Sequence, residues 1–199
     1  MDEPGLSKES PSEGLRSYID RLKRARQSFS DYLKLLALCG GREQEVIHQR
    51  WSNIHWHRNA MHFVGGRRGA AKRGGGSRES AKPRDVDFHA KLKAHLLEMY
   101  ERRDVRSDWM FPSLDHDNHV KSFRKQLNRV RDMLGMPHLG FHLFRHYFIS
   151  QAVMAGIDIK TIARWVGHRD EGMLILRVYG HLAPGHGLEA AKKLDGVWR

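Results

Sequence analysis

Cysteine is almost absent: Cys39 is the only one in 199 residues, so no disulfide can form within the chain. Long apolar runs are missing too. The longest is about that of Leu35-Leu36-Ala37-Leu38-Cys39, far short of the roughly 20 residues that cross a bilayer, and a membrane-spanning helix is excluded. The opening Met1-Asp2-Glu3-Pro4-Gly5 has neither the basic start nor the apolar stretch of a secretory signal. With the single cysteine, this points to the cytoplasm. Acidic residues are outnumbered, 23 against 35 Lys plus Arg, for a net charge of +12. Such an excess predicts a polyanionic partner, with nucleic acid ahead of an anionic membrane surface. With 40% hydrophobic residues and a mean hydropathy of −0.64, the chain suits one sizeable core with a small appendage.

Residues 1–14 contain two prolines, two glycines, three serines and four acids but few apolar anchors, which reads as a flexible arm. From Tyr18 to Cys39 the apolar residues recur at helical spacing, enough for one or two helices that end at Gly40-Gly41. A new helix can begin at Arg42, carry Val46, Ile47 and Arg50, and stop near Trp51-Ser52-Asn53. Ile54 to Val64 alternates loosely between aromatic and polar residues, as a strand does. Residues 65–84 hold six glycines and seven basic residues, a composition that cannot pack as a core element and reads as a long basic hairpin loop. Asp85-Val86-Asp87-Phe88 offers a return strand, and Leu92, Leu96, Leu97 and Tyr100 mark a helix.

Phe123, Leu127, Val130 and Leu134 define an amphipathic helix with Gly135 placed to end it. Leu143, Phe144, Phe148, Ala152 and Val153 define the next, closed by Gly156. Asp158 can cap another that bears Ile159, Ile162, Ala163 and Val166. Leu188 to Leu194 reads as a last short tail helix within residues 186–199. The fold class expected is mainly helical α+β with one small antiparallel sheet.

His142 and Arg145 are three apart on a helix, hence on one face, where they could grip one anion together. Gly167-His168 lies at a helix end, Val178-Tyr179-Gly180-His181 follows, and Gly41-Arg42 opens a helix far upstream. Each fragment alone is weak. A lone arginine is more often solvated or ion-paired, Tyr179 alone more often a half-buried core aromatic, and His146 a satisfied packing histidine. His138, His142 and His146 fall four apart, as helical metal ligands do. Gly140 interrupts that helix start, however, and the Arg145 charge would repel a cation.

Taken in order, Arg42, a basic hairpin, His142-x-x-Arg145, Gly167-His168 and Tyr179 resemble the signature of the tyrosine recombinases, the phage integrase family. The resemblance covers about residues 30–185, and its most specific part runs from His142 to Leu182. There His-Leu-Phe-Arg-His, Ala-Gly-Ile-Asp-Ile-Lys-Thr-Ile, Trp-Val-Gly-His and Tyr-Gly-His-Leu follow in family order. Upstream, Leu-Ala-Leu-Cys-Gly-Gly-Arg-Glu-Gln-Glu is similar to the family's first arginine box, with Glu45 at its usual acidic position.

The resemblance implies a catalytic domain that breaks and rejoins double-stranded DNA through a 3′-phosphotyrosyl intermediate, with no cofactor and no metal. Arg42 and Arg145 would clamp the phosphate, Tyr179 would attack it, His142 would be the base and His168 would assist at the scissile phosphate. A lysine on the sheet hairpin would protonate the leaving 5′ oxygen. Lys72 and Lys82 compete for that role, and Lys72 is preferred because it follows the first strand. Most relatives carry an N-terminal helical domain, yet about forty residues precede Arg42 here, so the chain resembles a catalytic domain alone, residues 15–185. The resemblance also implies assembly as a homo-tetramer on two DNA sites, aided by the 186–199 tail, and a bacterial or phage-encoded, nucleoid-associated protein. A catalytically idle DNA-binding relative is the alternative.

Overall fold

The computed structural model describes residues 11–65, 82–113, 118–168, 170–182 and 192. Apart from residue 192, the tail helix expected over Leu188–Leu194 lies outside these residues, as does nearly all of the basic 65–84 loop. Helix α1 (Pro11–Cys39) is one continuous element of 29 residues. It begins inside the segment expected to be a flexible arm, so residues 11–14 belong to the helix: proline is tolerated in a first turn, where its missing N–H would have had no partner. Tyr32, Leu35, Leu36 and Cys39 occupy one face and are fully buried, while Leu15, Tyr18, Ile19 and Leu22 on the opening turns stay exposed. The Tyr32 ring meets Phe111 and Phe141 edge-on at 5.4 and 5.5 Å and tilts against Phe123 at 4.8 Å. Four rings from four parts of the chain thus lock the C-terminal half of α1 in place.

After Gly40 and Gly41 the chain enters the short α2 (Glu43–Ile47), which is shorter than the helix expected from Arg42 to Trp51. Gly40 is left-handed, with φ +63, and a Cβ there would lie 2.4 Å from Phe148 Cδ1. Both the turn and the close approach therefore require glycine. The expected single strand over Ile54–Val64 is instead β1 (Ile54–His55) and β2 (Ala60–Phe63), antiparallel and joined by a 3-10 turn at Trp56–Arg58. Asn59 reverses the chain with φ +48, a conformation that asparagine tolerates better than most residues. β3 (Arg84–Asp87) pairs antiparallel with β2, with Phe63 opposite Arg84 and Ala60 opposite Asp87. The sheet order is β1-β2-β3.

Helix α3 (Ala90–Glu101) packs on α1. Its buried His95 bonds the Asp31 carbonyl, and Arg102 just beyond it forks onto the Asp31 carboxylate at 2.9 and 3.2 Å. Helix α4 (Arg124–Leu134) ends at left-handed Gly135, as expected. Its apolar stripe is buried only at the start, at Phe123 and Leu127, because Leu134 is solvent-exposed. Helices α5 (Phe141–Met154) and α6 (Ile159–Val166) follow, the second capped by the Asp158 carboxylate on the Thr161 N–H at 2.9 Å. Helix α7 (Met173–Tyr179) was not expected from the sequence. Its buried residues are Ile175 and Tyr179, four apart, with Met173, Leu174, Leu176 and Val178 exposed.

Two apolar clusters result, one from α1, α3, the sheet and α4, the other from α5, α6 and α7, and α5 contributes to both. Among the described residues no helix is long and apolar enough to cross a membrane. The fold is mainly helical α+β with a small antiparallel sheet, as the sequence implied.

Candidate active site

The site forms where the start of α2, β3 and the N-terminal half of α5 meet the C-terminal end of α6. A helix C-terminus leaves carbonyls without intrahelical partners and carries partial negative charge. Here three successive carbonyls at that end each take one arginine. The Trp165 carbonyl accepts from Arg84 Nε at 2.7 Å, Val166 from an Arg145 terminal nitrogen at 2.6 Å, and Gly167 from an Arg42 terminal nitrogen at 3.1 Å. This arrangement explains how three like charges are held together.

A carboxylate completes the neutralisation. Glu45 accepts both terminal nitrogens of Arg84 at 3.0 and 2.7 Å, one of Arg42 at 2.8 Å, and the Arg42 backbone N–H at 2.9 Å. Burial alone would raise the Glu45 pKa. The Arg84 fork and charge, with Arg42, overcome it and hold the group near 2, against an ordinary 4.5. Arg84 also lies over the Phe63 ring at 4.6 Å. Glu45 was legible from the sequence as the family's acidic position, but its partner Arg84, 39 residues away, was not: only the β3 register brings that side chain under α2.

Arg145 is 2% exposed and ties the two ends of the site, because its other terminal nitrogen donates to the Gly40 carbonyl at 2.7 Å. Burial, then the charges of Arg42 and Arg84, lower its pKa to about 9, so it stays cationic at neutral pH. A guanidinium has five N–H donors, and Arg42 and Arg145 each commit only two nitrogens to these anchors. Among the described residues their remaining donors have no partner. His142, one turn before Arg145 on α5, is exposed and shares with both arginines the lining of an open groove of about 1170 Å³. That groove also takes in Arg124, Asn128 and Arg131 of α4. The His142 pKa is lowered by partial burial and then by His146, Arg145 and Arg42, which favours the neutral, proton-accepting ring. His168 follows left-handed Gly167; among the described residues its buried Nδ1 has no hydrogen-bond partner, and burial, then Arg145, lowers its pKa.

Tyr179, at the end of α7, is 8% exposed. Its hydroxyl meets Nδ1 of His146, the residue after Arg145, with ring centroids 5.9 Å apart. Burial raises the phenol pKa, and Arg145 opposes this. The structure thus brings Arg42, His142 and Arg145 into one groove, fixes His168 on the α6 end that anchors those arginines, and pairs Tyr179 with His146 on α5. Lys72 lies outside the described residues. Lys82 is exposed, two residues before β3. His138 precedes Gly140, the N-cap of α5, so His138, His142 and His146 do not share one helix. A second groove, of about 1130 Å³ between α1 and the 99–113 segment, contains none of these residues.

The Glu45 pairing carries a pH dependence of known sign. A carboxyl whose folded pKa is depressed contributes stability that is complete above its unfolded value and lost as the pH falls. Moving from 4.5 to about 2 corresponds to roughly 3 kcal/mol, lost between those two pH values. Glu45→Gln is expected to cost about that much at pH 7, by urea denaturation, and to flatten the stability profile between pH 4.5 and 2. An unchanged acid profile would contradict the pairing.

The sequence profile of the phage integrase family matches residues 15–186, most of the chain. The chain belongs to the phage integrase family. A tyrosine recombinase XerC-like protein of Caldanaerobacter subterraneus subsp. tengcongensis is 26% identical over 113 residues, covering 54% of this chain and 27% of that protein. Among solved structures, the Tn1549 transposon integrase in complex with circular intermediate DNA superposes with TM-score 0.63 at 14% identity, over 96% of this chain and 66% of that one. The catalytic domain of bacteriophage HP1 integrase gives 0.53 at 18% identity, over 82% and 79%. These structural likenesses speak to the fold. The chain spans a third or less of the length of the curated relatives it matches.

Proposed function

We propose that the chain is the catalytic domain of a site-specific DNA recombinase, which cleaves and rejoins double-stranded DNA through a 3′-phosphotyrosyl intermediate. The observation that carries the reading is the pair Arg42 and Arg145, anchored on the α6 carbonyls with donors to spare, together with a buried Tyr179 whose hydroxyl meets His146, the residue after Arg145. Charge builds on the nonbridging oxygens of the scissile phosphate as Tyr179 attacks, and preorganised guanidiniums stabilise it at no cost in reorganisation. The tyrosine–phosphorus bond forms as the bond to the 5′ oxygen breaks. That oxygen takes its proton from a lysine of the hairpin, Lys72 ahead of Lys82, while His168 contributes its ring N–H to the phosphate. Rejoining reverses the step with a new 5′ hydroxyl, so the bond energy is conserved in the ester.

The net charge of +12 and the Arg124, Arg131 and His48 lining of the groove suit a DNA backbone. The Tn1549 integrase solved with circular intermediate DNA and XerH recombinase solved with its difH substrate support the same partner. Assembly as a homo-tetramer on two DNA sites belongs to this proposal.

The test is incubation with supercoiled plasmid in EDTA, followed by SDS. A metal-independent, SDS-stable protein–DNA complex with plasmid relaxation is expected. Salt-sensitive binding with no covalent complex would instead identify a DNA-binding relative that does not cleave.

A further inference from the structure

We infer that His146, rather than His142, is the residue that holds the Tyr179 hydroxyl and takes its proton as the phosphotyrosyl bond forms, an inference that rests on the recombinase reading above. Tyr179 is almost fully buried, and among the described residues its hydroxyl makes one hydrogen bond, to His146 Nδ1. A phenol can donate to an imidazole nitrogen, and the direction of this bond follows the histidine tautomer. With the phenol donating, the His146 ring accepts at Nδ1 and carries its hydrogen on Nε2. That is the geometry a general base needs: within hydrogen-bond reach of the proton it removes, in the tautomer able to receive it.

His142 is differently placed. It lines the groove with Arg42 and Arg145 and makes no hydrogen bond among the described residues. It meets His146 ring edge to ring face at 4.6 Å, standing beside the base rather than on the nucleophile. On α5 residue 142 lies between 145 and 146, about 60° from the first and about 40° from the second, so the two histidines share a face and the contact with Tyr179 is what distinguishes them. In cleavage the proton passes from Tyr179 Oη to His146 Nδ1 while the Tyr179 oxygen bonds phosphorus. The 5′ oxygen leaves with a proton from the hairpin lysine. In rejoining the same proton returns from His146 to the departing phenol.

The test separates proton transfer from simple packing. His146→Ala and His146→Asn, the latter keeping an acceptor near the Nδ1 position without basicity, are each made with Tyr179 and with a trifluorotyrosine at that position, whose phenol ionises without help. Adduct formation on plasmid is timed, and DNA binding and circular dichroism confirm folding. Both His146 variants are expected to cleave about 100-fold more slowly with DNA binding unchanged, and the fluorinated phenol is expected to restore most of the loss. His142→Ala is expected to gain nothing from it. Wild-type cleavage by His146→Ala, a defect that the fluorinated phenol does not relieve, or relief in His142→Ala instead, would each overturn the assignment. Nitrogen NMR of the free protein supplies an independent reading: Tyr179→Phe is expected to shift His146 Nδ1 and not His142. If wild-type protein formed no adduct while that shift was seen, the recombinase reading would fall with the catalytic role, and the contact alone would stand. No shift would remove the contact.

Discussion

Tyr179→Phe is expected to abolish covalent attachment to DNA while leaving the protein folded and DNA-bound. The ring of Tyr179 packs with Ile175, Ile162 and Val166 in the cluster of α5, α6 and α7, and phenylalanine fills the same space. Among the described residues the hydroxyl makes one hydrogen bond, to His146, so the loss of stability should be about 1 kcal/mol. The chemical effect is of another order, because the attacking atom itself is gone. Cleavage should fall below detection in SDS-quenched plasmid assays, with retained binding in gel shifts at the same salt concentration. A residual adduct at a substantial fraction of the wild-type rate would mean that another side chain attacks phosphorus.

Arg145→Ala should damage stability and chemistry together. Its guanidinium is the sole side-chain donor to both the Gly40 and the Val166 carbonyls among the described residues, and the side chain is 2% exposed. Alanine leaves two buried acceptors unsatisfied, at about 1–3 kcal/mol each, and opens a cavity between the end of α1 and the end of α6. Cleavage, measured at a temperature where the variant remains folded, should drop by about 100- to 1,000-fold, as expected for loss of a preorganised donor to a developing oxyanion. Arg145→Lys tests geometry against charge: one ammonium cannot reach both carbonyls and also fork onto a phosphate. It should recover part of the stability and little of the cleavage. Wild-type cleavage by either variant would remove Arg145 from the clamp.

Local signals in the sequence translated directly into structure. Gly135 ends α4 with a positive φ, and Asp158 caps α6 through the Thr161 N–H, because both depend on chemistry within a few residues. His142 and Arg145 share one turn of α5 for the same reason, although burial then separates them into an exposed ring and an enclosed guanidinium. Helix α7 was not legible: four of its seven residues are exposed and apolar, so the pattern has no helical period to read. The break between β1 and β2 is made by the 3-10 turn at Trp56–Arg58 and left-handed Asn59, which do not stand out within an alternating segment. The Arg84–Glu45 fork and the three arginines on successive α6 carbonyls are products of tertiary placement, between residues 21 to 125 apart, and no spacing rule reports them. The i, i+4 spacing from His142 does not say which of the two histidines faces Tyr179, so the sequence alone leaves His146 a packing histidine.

The most direct test of the central claim is to locate the protein–DNA bond. The SDS-stable complex formed in EDTA would be digested with nuclease and protease, and the nucleotide-bearing peptide sequenced by mass spectrometry. The account predicts a single modified residue, Tyr179, joined to a 3′ phosphate with a free 5′ hydroxyl on the other DNA end. A bond to any other residue, a 5′-phosphate linkage, or cleavage with no linked peptide would contradict it.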